Sequence, residues 1–404
     1  MSRLQVRLPT PAPHAVTQRG DEAPTLINTA RIWSKVVSLY QTGLHPAIGL
    51  TIRHRGRVVL DRTIGHVEHH PGQSPSVLAS PDTPFNLFSA TKIITATLLC
   101  ALAEDGKIDL DARVADTLPE FARHGKSAVR VRHLLNHTAG IPDVPLGVDP
   151  EEFLRTGKMP WEALWDAKLK SSPGHRVAYH PVTSWALAQR LITEVTGTDL
   201  RTAARERLLD PLGTSDLCYG IAPSRVDEVA KHTQTGPVAP PFMARIFTRT
   251  IGLPLERAVA LTNTPEFLTA TLPSANGIGT GRSVSAFMQL LLDRGRTPDG
   301  TELLRPETVD RMVGDTTPLR VDGTFGLPMR YGLGVMRGGT AFSLFGLNTP
   351  SAFGHLGFTN VVVWADPDRD LAVSFLNTGK PMLAPGMVQW YRVLQRLNAE
   401  VPRK

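Results

Sequence analysis

The sequence predicts an α/β protein of the α+β type: an antiparallel sheet flanked by the terminal helices, with a mostly helical lobe inserted between its two halves. Three observations predict it. β-rich runs lie near both ends of the chain, from Ala47 to Ile64 and again from Tyr331 to Asn377. Each end also carries a helical run, and the middle reads as helices and loops. Strands far apart in sequence complete their hydrogen bonding by pairing, which brings the ends together and leaves a cleft against the inserted lobe.

Composition narrows the function classes. The chain has 404 residues, enough for one large two-lobed domain, with 41% hydrophobic and 20% charged residues, as in a soluble globular protein. The net charge is +7, yet Lys and Arg are scattered. No basic run interleaved with aromatics offers a nucleic-acid face. Of the two cysteines, Cys100 falls in an apolar segment and reads as a small buried hydrophobe, so no structural disulfide is expected. The first residues, MSRLQVRLPTPAPHAV, lack the apolar core of a signal peptide. The longest apolar run, Ile93 to Ala103, is too short to span a bilayer. The expected location is cytoplasmic.

In chain order, residues 1–25 are rich in Pro and polar residues and read as an N-terminal arm. Residues 26–404 read as a single catalytic domain, with a sheet lobe over about 26–80 and 325–404 and a helical lobe over about 81–324. Leu26 to Thr42 is an amphipathic helix, and the runs flanking Gly56 suggest a hairpin. The loop from His66 to Ser80 holds His66, Glu68, His69 and His70, but their spacing matches no zinc signature and a solvated loop is the preferred reading. Asp109 and Asp111 resemble paired carboxylates but sit where a turn needs capping. His137, at the close of a short helix, is a candidate base or a structural hydrogen-bonder. Residues 143–172 are helical in composition, with Trp161 and Trp165 one turn apart as core or cleft wall. Helices follow at Ser184–Thr196 and Leu200–Leu209. Residues 220–270 read as irregular, with Pro237, Pro240 and Pro241 interrupting them. Gly277, Gly279 and Gly281 lack the βαβ setting of a nucleotide loop and read as a tight helix entry. Strand runs then precede a closing helix at about Met387–Leu397.

The stretch that carries chemistry is Phe85–Lys107, which opens with Ser89-Ala90-Thr91-Lys92 and ends at Asp105-Gly106, a helix stop. Residues three apart share a helix face, so the Ser89 hydroxyl and the Lys92 amine can meet. A serine at a helix start can attack a carbonyl while its own amide helps hold the oxyanion. A desolvated Lys92 loses affinity for its proton and becomes a base.

Six segments in order extend this pattern: Phe88-Ser-Ala-Thr-Lys92, Leu134-Leu-Asn-His-Thr-Ala-Gly140, Pro173-Gly174 ahead of Tyr179-His180, Asp210-Pro-Leu-Gly213, Pro273-Ser-Ala-Asn-Gly277 and Gly354-His-Leu-Gly357. Together they resemble the serine β-lactamase and penicillin-binding superfamily, and most of all the family VIII carboxylesterases, relatives of class C β-lactamases. The resemblance runs from about residue 45 to 380 and implies a β-lactamase/transpeptidase-like fold. It implies Ser89 as the acyl-accepting nucleophile, Lys92 as its general-base partner, and Tyr179 sharing the proton work. It implies an oxyanion hole from the amides of Ser89 and Phe358, with His355, Leu356 and Gly357 standing where penicillin-recognising members carry K-T-G. Close approach of Lys92 and Tyr179 is expected to lower the pKa of both.

Two departures shape the expected substrate. Pro181 replaces the Asn of Y-x-N and offers no side-chain amide to a β-lactam, and His355 replaces the K-T-G lysine and is neutral at pH 7. The expectation is therefore a serine carboxylesterase acting on small-molecule esters of small to medium acyl chain, with no cofactor and no metal. An acyltransferase on the same scaffold, a weak β-lactamase and a non-catalytic relative of this fold are the alternatives.

Overall fold

The computed structural model describes residues 16–19, 22–68, 77–382 and 387–404. A short strand β1 (Val16–Gln18) makes part of the predicted arm an edge strand, and Glu22 further along it pairs with Arg62 at 2.7 Å; residues 1–15, 20 and 21 lie outside the described residues. Helix α1 (Thr29–Tyr40) starts where the Asn28 side chain accepts from the Arg31 amide at 3.1 Å. The hairpin β2 (Ala47–His54) and β3 (Arg57–Gly65) turns through Arg55 and Gly56, both left-handed at φ 53° and 77°.

The middle of the chain supplies helices α2 (Thr91–Glu104), α3 (Thr183–Thr196), α4 (Pro241–Ile251) and α5 (Gly281–Leu292). It then returns through β4 (Met336–Arg337), β5 (Phe353–Gly357), β6 (Val361–Asp366) and β7 (Leu371–Asn377) to a closing helix α6 (Met387–Glu400). The strands form one sheet in the order β1-β3-β2-β7-β6-β5-β4, antiparallel throughout. The join is β2 with β7, where Ile48 lies opposite Asn377 and His54 opposite Leu371.

Side chains alternate between the two faces of this sheet. Ile48, Leu50, Ile52, Val362, Trp364, Val373 and Phe375 pack under α1 and α6, with Ile32, Val36, Leu39, Val393 and Leu397. Val361, Val363, Ala365, Ala372 and Leu376 face the other way and join the core of the helical lobe. Helix α5 covers this second face, although it lies within residues 81–324 by sequence; Ser374 Oγ donates to the Gly281 carbonyl at 2.7 Å. Across the first face, Trp364, Val373, Ile52 and Leu60 stand opposite one another in register, all fully buried.

Helix α2 runs through the helical lobe with nearly every residue buried, which explains its apolar character on all sides. Cys100 is among them, free and buried, its thiol pushed up to about 12 by desolvation. Three expectations need correction. Residues 220–270 are irregular only in part: 229–240, with Pro237 and Pro240, hold no helix or strand, but the chain beyond forms α4 and short helices at Leu255–Leu261 and Pro265–Thr269. Pro241 and Pro265 occupy first helical turns, where the missing N–H has no partner to lose. Residues 143–172 are less helical than their composition suggests, with helix only at Pro150–Thr156 and Trp161–Trp165. Gly277–Gly279 is a strand, paired on one side with Phe85–Asn86 and on the other with Cys218–Tyr219. A Cβ at Gly277 would sit 2.8 Å from Thr91 Oγ1, so the absence of a side chain lets this strand press against the start of α2.

Trp364→Ala is expected to cost about 3–5 kcal/mol, because it removes the largest side chain of the buried cross-strand row. Urea unfolding of the variant measures this, and a loss below about 1 kcal/mol contradicts the assigned core.

Candidate active site

The chain approaches α2 along Phe85–Asn86, and Phe88 then adopts a left-handed backbone, φ 50°. That conformation is unfavourable for a bulky residue and is held by its surroundings. The tight turn Phe88–Ala90 feeds directly into α2, so Ser89 stands one helical step before the helix proper and Lys92 in its first turn. Lys92 Nζ lies 2.9 Å from Ser89 Oγ and donates to the Ser274 carbonyl at 3.1 Å. The amine sits 5.3 Å from the Tyr179 ring centre and 5.6 Å from that of Trp185. It is fully buried, and this desolvation holds its pKa well below the ordinary lysine value.

Tyr179 reaches the pair from a clamped extended segment. Ala178 N donates to the His137 carbonyl at 3.0 Å, and His180 N donates to His137 Nδ1 at 3.1 Å. His180 Nε2 accepts from Ile141 N at 3.0 Å, and its carbonyl accepts from Trp185 Nε1 at 3.1 Å. The ring of Tyr179 packs between His137, 4.6 Å away, and Phe325, 4.7 Å away and stacked. Burial raises the Tyr179 pKa, and the neighbouring Ser89 only partly opposes this. Mutual lowering of the two pKa values was the expectation. Burial acts in opposite directions on an amine and a phenol, so Lys92 loses its proton more readily and Tyr179 keeps its own.

A supporting layer escaped sequence reasoning. Asp322, fully buried, accepts from Tyr331 Oη at 2.9 Å and from the amides of Thr324 and Phe325 at 2.8 and 2.9 Å. The turn so fixed returns a hydrogen bond from Thr324 Oγ1 to the Tyr179 carbonyl at 2.9 Å, besides placing Phe325 on the ring. His137 is enclosed between Tyr179 and Tyr331, with its Nδ1 committed as an acceptor to a backbone amide. It therefore serves as part of the clamp. The only advance signal for this layer was the position of His137 and His180 beside the residues singled out.

The end of β5 completes the site. His355 is fully buried beside the Tyr179 ring, 5.9 Å away, with Nδ1 2.7 Å from the Leu356 carbonyl. Desolvation brings its pKa down to about 3, which leaves it neutral. Gly357 runs so close to the Leu87 carbonyl that no Cβ would fit there. This contact brings the strand end against the turn that carries Ser89. Phe358, left-handed at φ 50°, stacks on Phe88 at 4.9 Å and meets Phe247 edge-on at 5.4 Å.

Ser89 and Phe358 line a narrow cavity of about 60 Å³ together with Val148, Phe153, Pro181 and Phe267. Among the described residues no charged side chain lines it, and neither His355 nor Gly357 does. A larger cleft of about 490 Å³, with Arg53, Arg282, Asp216 and Asp293 in its wall, contains none of Ser89, Lys92 or Tyr179. Asp109 and Asp111 lie apart from the cavity; Asp109 accepts from the Asp111 amide at 2.8 Å, and Asp111 pairs with Arg132 and Arg311. Trp161 and Trp165 stack on each other at 5.3 Å outside the cavity wall. His66 bridges to Leu78, His69 and His70 lie outside the described residues, and among the described residues no cluster of three metal-ligating side chains occurs.

A seven-stranded antiparallel sheet, capped by the terminal helices and facing a helical lobe whose central helix follows a turn carrying a serine, is the architecture shared with the penicillin-binding protein homologues and β-lactamase relatives. The Beta-lactamase family model matches residues 36–398, and the chain belongs to that family. It is 28% identical over 348 residues to the esterase/beta-lactamase LipL of Mycobacterium tuberculosis, covering 80% of this chain and 77% of that protein. A penicillin-binding protein homologue from Caulobacter crescentus superimposes with a TM-score of 0.79 at 26% identity, covering 96% of this chain and 100% of the other. A family VIII carboxylesterase does so with a TM-score of 0.77 at 25% identity, covering 95% and 99%. Among the described residues no helix is long and apolar enough to cross a membrane.

Because burial lowers the Lys92 pKa, folding releases its proton between that lowered value and about pH 10, where the unfolded chain still holds it. The resulting stability loss is present at neutral pH and disappears as pH rises through the unfolded value. Lys92→Met is therefore expected to raise the melting temperature at pH 7, with the gain shrinking toward pH 10. A gain independent of pH, or a loss, contradicts the assignment.

Proposed function

We propose that the protein is a serine carboxylesterase that cleaves esters of small to medium acyl chain through an acyl-Ser89 intermediate. The observation that carries this reading is the 2.9 Å approach of Ser89 Oγ to a buried Lys92 amine, with the Tyr179 ring 5.3 Å from that amine and an apolar cavity in front.

In this reading, neutral Lys92 takes the proton as Ser89 Oγ bonds to the ester carbonyl carbon. The oxyanion is held by the amides of Ser89 and Phe358; losing one such donor costs about 3 kcal/mol of barrier. As the tetrahedral intermediate collapses, the carbon–oxygen bond to the alcohol breaks and the proton passes from Lys92, through Tyr179, to the departing oxygen. Tyr179 suits a relay because it stays protonated between transfers. Water then attacks the acyl-serine by the reverse route, and the acid departs.

The cavity supports an ester in preference to a β-lactam or a peptide. Its wall offers apolar contact to an acyl chain and no cation to a carboxylate. His355 is neutral where a lysine would be charged, and Pro181 lacks the amide that grips an acylamino group. The esterase named in LipL and the carboxylesterase among the structural neighbours point the same way.

Ser89→Ala is expected to abolish turnover of p-nitrophenyl acetate while leaving the melting temperature within a few degrees of the parent. Retained turnover sinks the proposal. Tyr179→Phe should lose about three orders of magnitude in kcat, and a loss under tenfold removes Tyr179 from the proton path. Val148→Phe narrows the cavity and should depress kcat/KM for p-nitrophenyl hexanoate about tenfold more than for the acetate. Equal effects on both esters would place the acyl chain elsewhere.

A further inference from the structure

Helix α4 has an outward face unlike that of the other helices. Phe242, Arg245, Ile246 and Arg249 are spaced i, i+3, i+4, i+7, and all four are exposed. Phe242 is 64% and Ile246 38% accessible, which is unusual for large apolar residues on an ordered helix. Val238, just before the helix, is 76% accessible, and Leu146 is 98% accessible. Val144 and Val148, two residues either side of Leu146, line the Ser89 cavity together with Ile251, the last residue of α4.

The electrostatics of this face are one-sided. From Val229 to Leu255 the sequence has no Asp or Glu. Arg245 and Arg249 have no ion-pair partner among the described residues. The flanking acids are already engaged, Glu228 by Arg225 at 2.7 Å and Glu256 by Gln234 at 3.0 Å. The inner face is anchored differently, with Phe247 against Phe358 and Ile251 in the cavity wall. A buried-face helix needs apolar residues only on the inside. Here apolar side chains also point outward, interleaved with unpaired cations.

We propose that this face of α4 docks the protein on an anionic lipid surface. Phe242 and Ile246 enter the boundary between headgroups and acyl chains, and Arg245 and Arg249 meet lipid phosphates. The charge complementarity favours this occupant: a second copy would bring two like-charged faces together. Docking would turn the α4 wall of the Ser89 cavity toward the lipid. Binding is the readout, so the outcome is independent of whether Ser89 cleaves esters.

The test is co-sedimentation with vesicles of phosphatidylcholine alone and of phosphatidylcholine with an equal part of phosphatidylglycerol. The protein is expected to pellet with the mixed vesicles, not with the neutral ones, and to be released by salt. Arg245→Gln with Arg249→Gln should lower the partition coefficient on the order of twentyfold. Phe242→Ser with Ile246→Ser should lower it at least about tenfold, with melting temperature showing that both double variants fold. No pelleting, or pelleting that neither double variant weakens, overturns the proposal. So does self-association in sedimentation velocity that Phe242→Ser with Ile246→Ser abolishes in the absence of vesicle binding.

Discussion

The rest of the site depends on one constraint, the burial of the Lys92 amine without a counter-ion. An ammonium in that position would lose its hydration and gain the Ser89 hydroxyl, the Ser274 carbonyl and two aromatic faces in return, none of them an anion. The neutral amine is the form that this setting accommodates, and the neutral form has a lone pair to offer Ser89. Its surroundings follow from that requirement. Trp185 and Tyr179 exclude water, α2 is buried on every side, and the strand Gly277–Gly279 can close against it because a glycine faces Thr91.

A depressed lysine pKa alone would not position the phenol proposed as a proton relay. Tyr179 lies in an extended segment with no helix or sheet ladder of its own, and its placement comes from both sides. The 137–141 loop grips it through His137 and His180. The Asp322 turn grips it through Thr324 and Phe325. These two clamps meet at Tyr331, which packs on His137 and donates to Asp322. The helical lobe and the returning chain thus hold opposite sides of one phenol.

The parts of this protein legible in sequence are those with a period. The sheet halves, the terminal helices and the Ser89–Lys92 pair each follow from a spacing of two, three or four residues, and the fold class followed from where those runs fell. Tyr179 and Phe358 have no such signal and entered through the resemblance of short segments to a known superfamily. Asp322, Thr324 and Tyr331 were not legible at all, because a turn residue that acts through its backbone contacts leaves no pattern. Pro241 misled for a physical reason: the same missing N–H that breaks a helix interior suits its first turn, and position within the element cannot be seen before the element is.

The pairing of β2 with β7 has a consequence for how the protein is made. Ile48 meets Asn377, so the hairpin β2–β3 emerges from the ribosome long before the strand that completes its edge. At translation speeds of about 5–20 residues per second, that edge waits on the order of half a minute. Throughout that interval it presents an apolar strand with unmet backbone donors and acceptors, a template for wrong pairing. Synthesis of this chain therefore includes a window in which chaperone cover for Ala47–Gly65 decides between folding and aggregation.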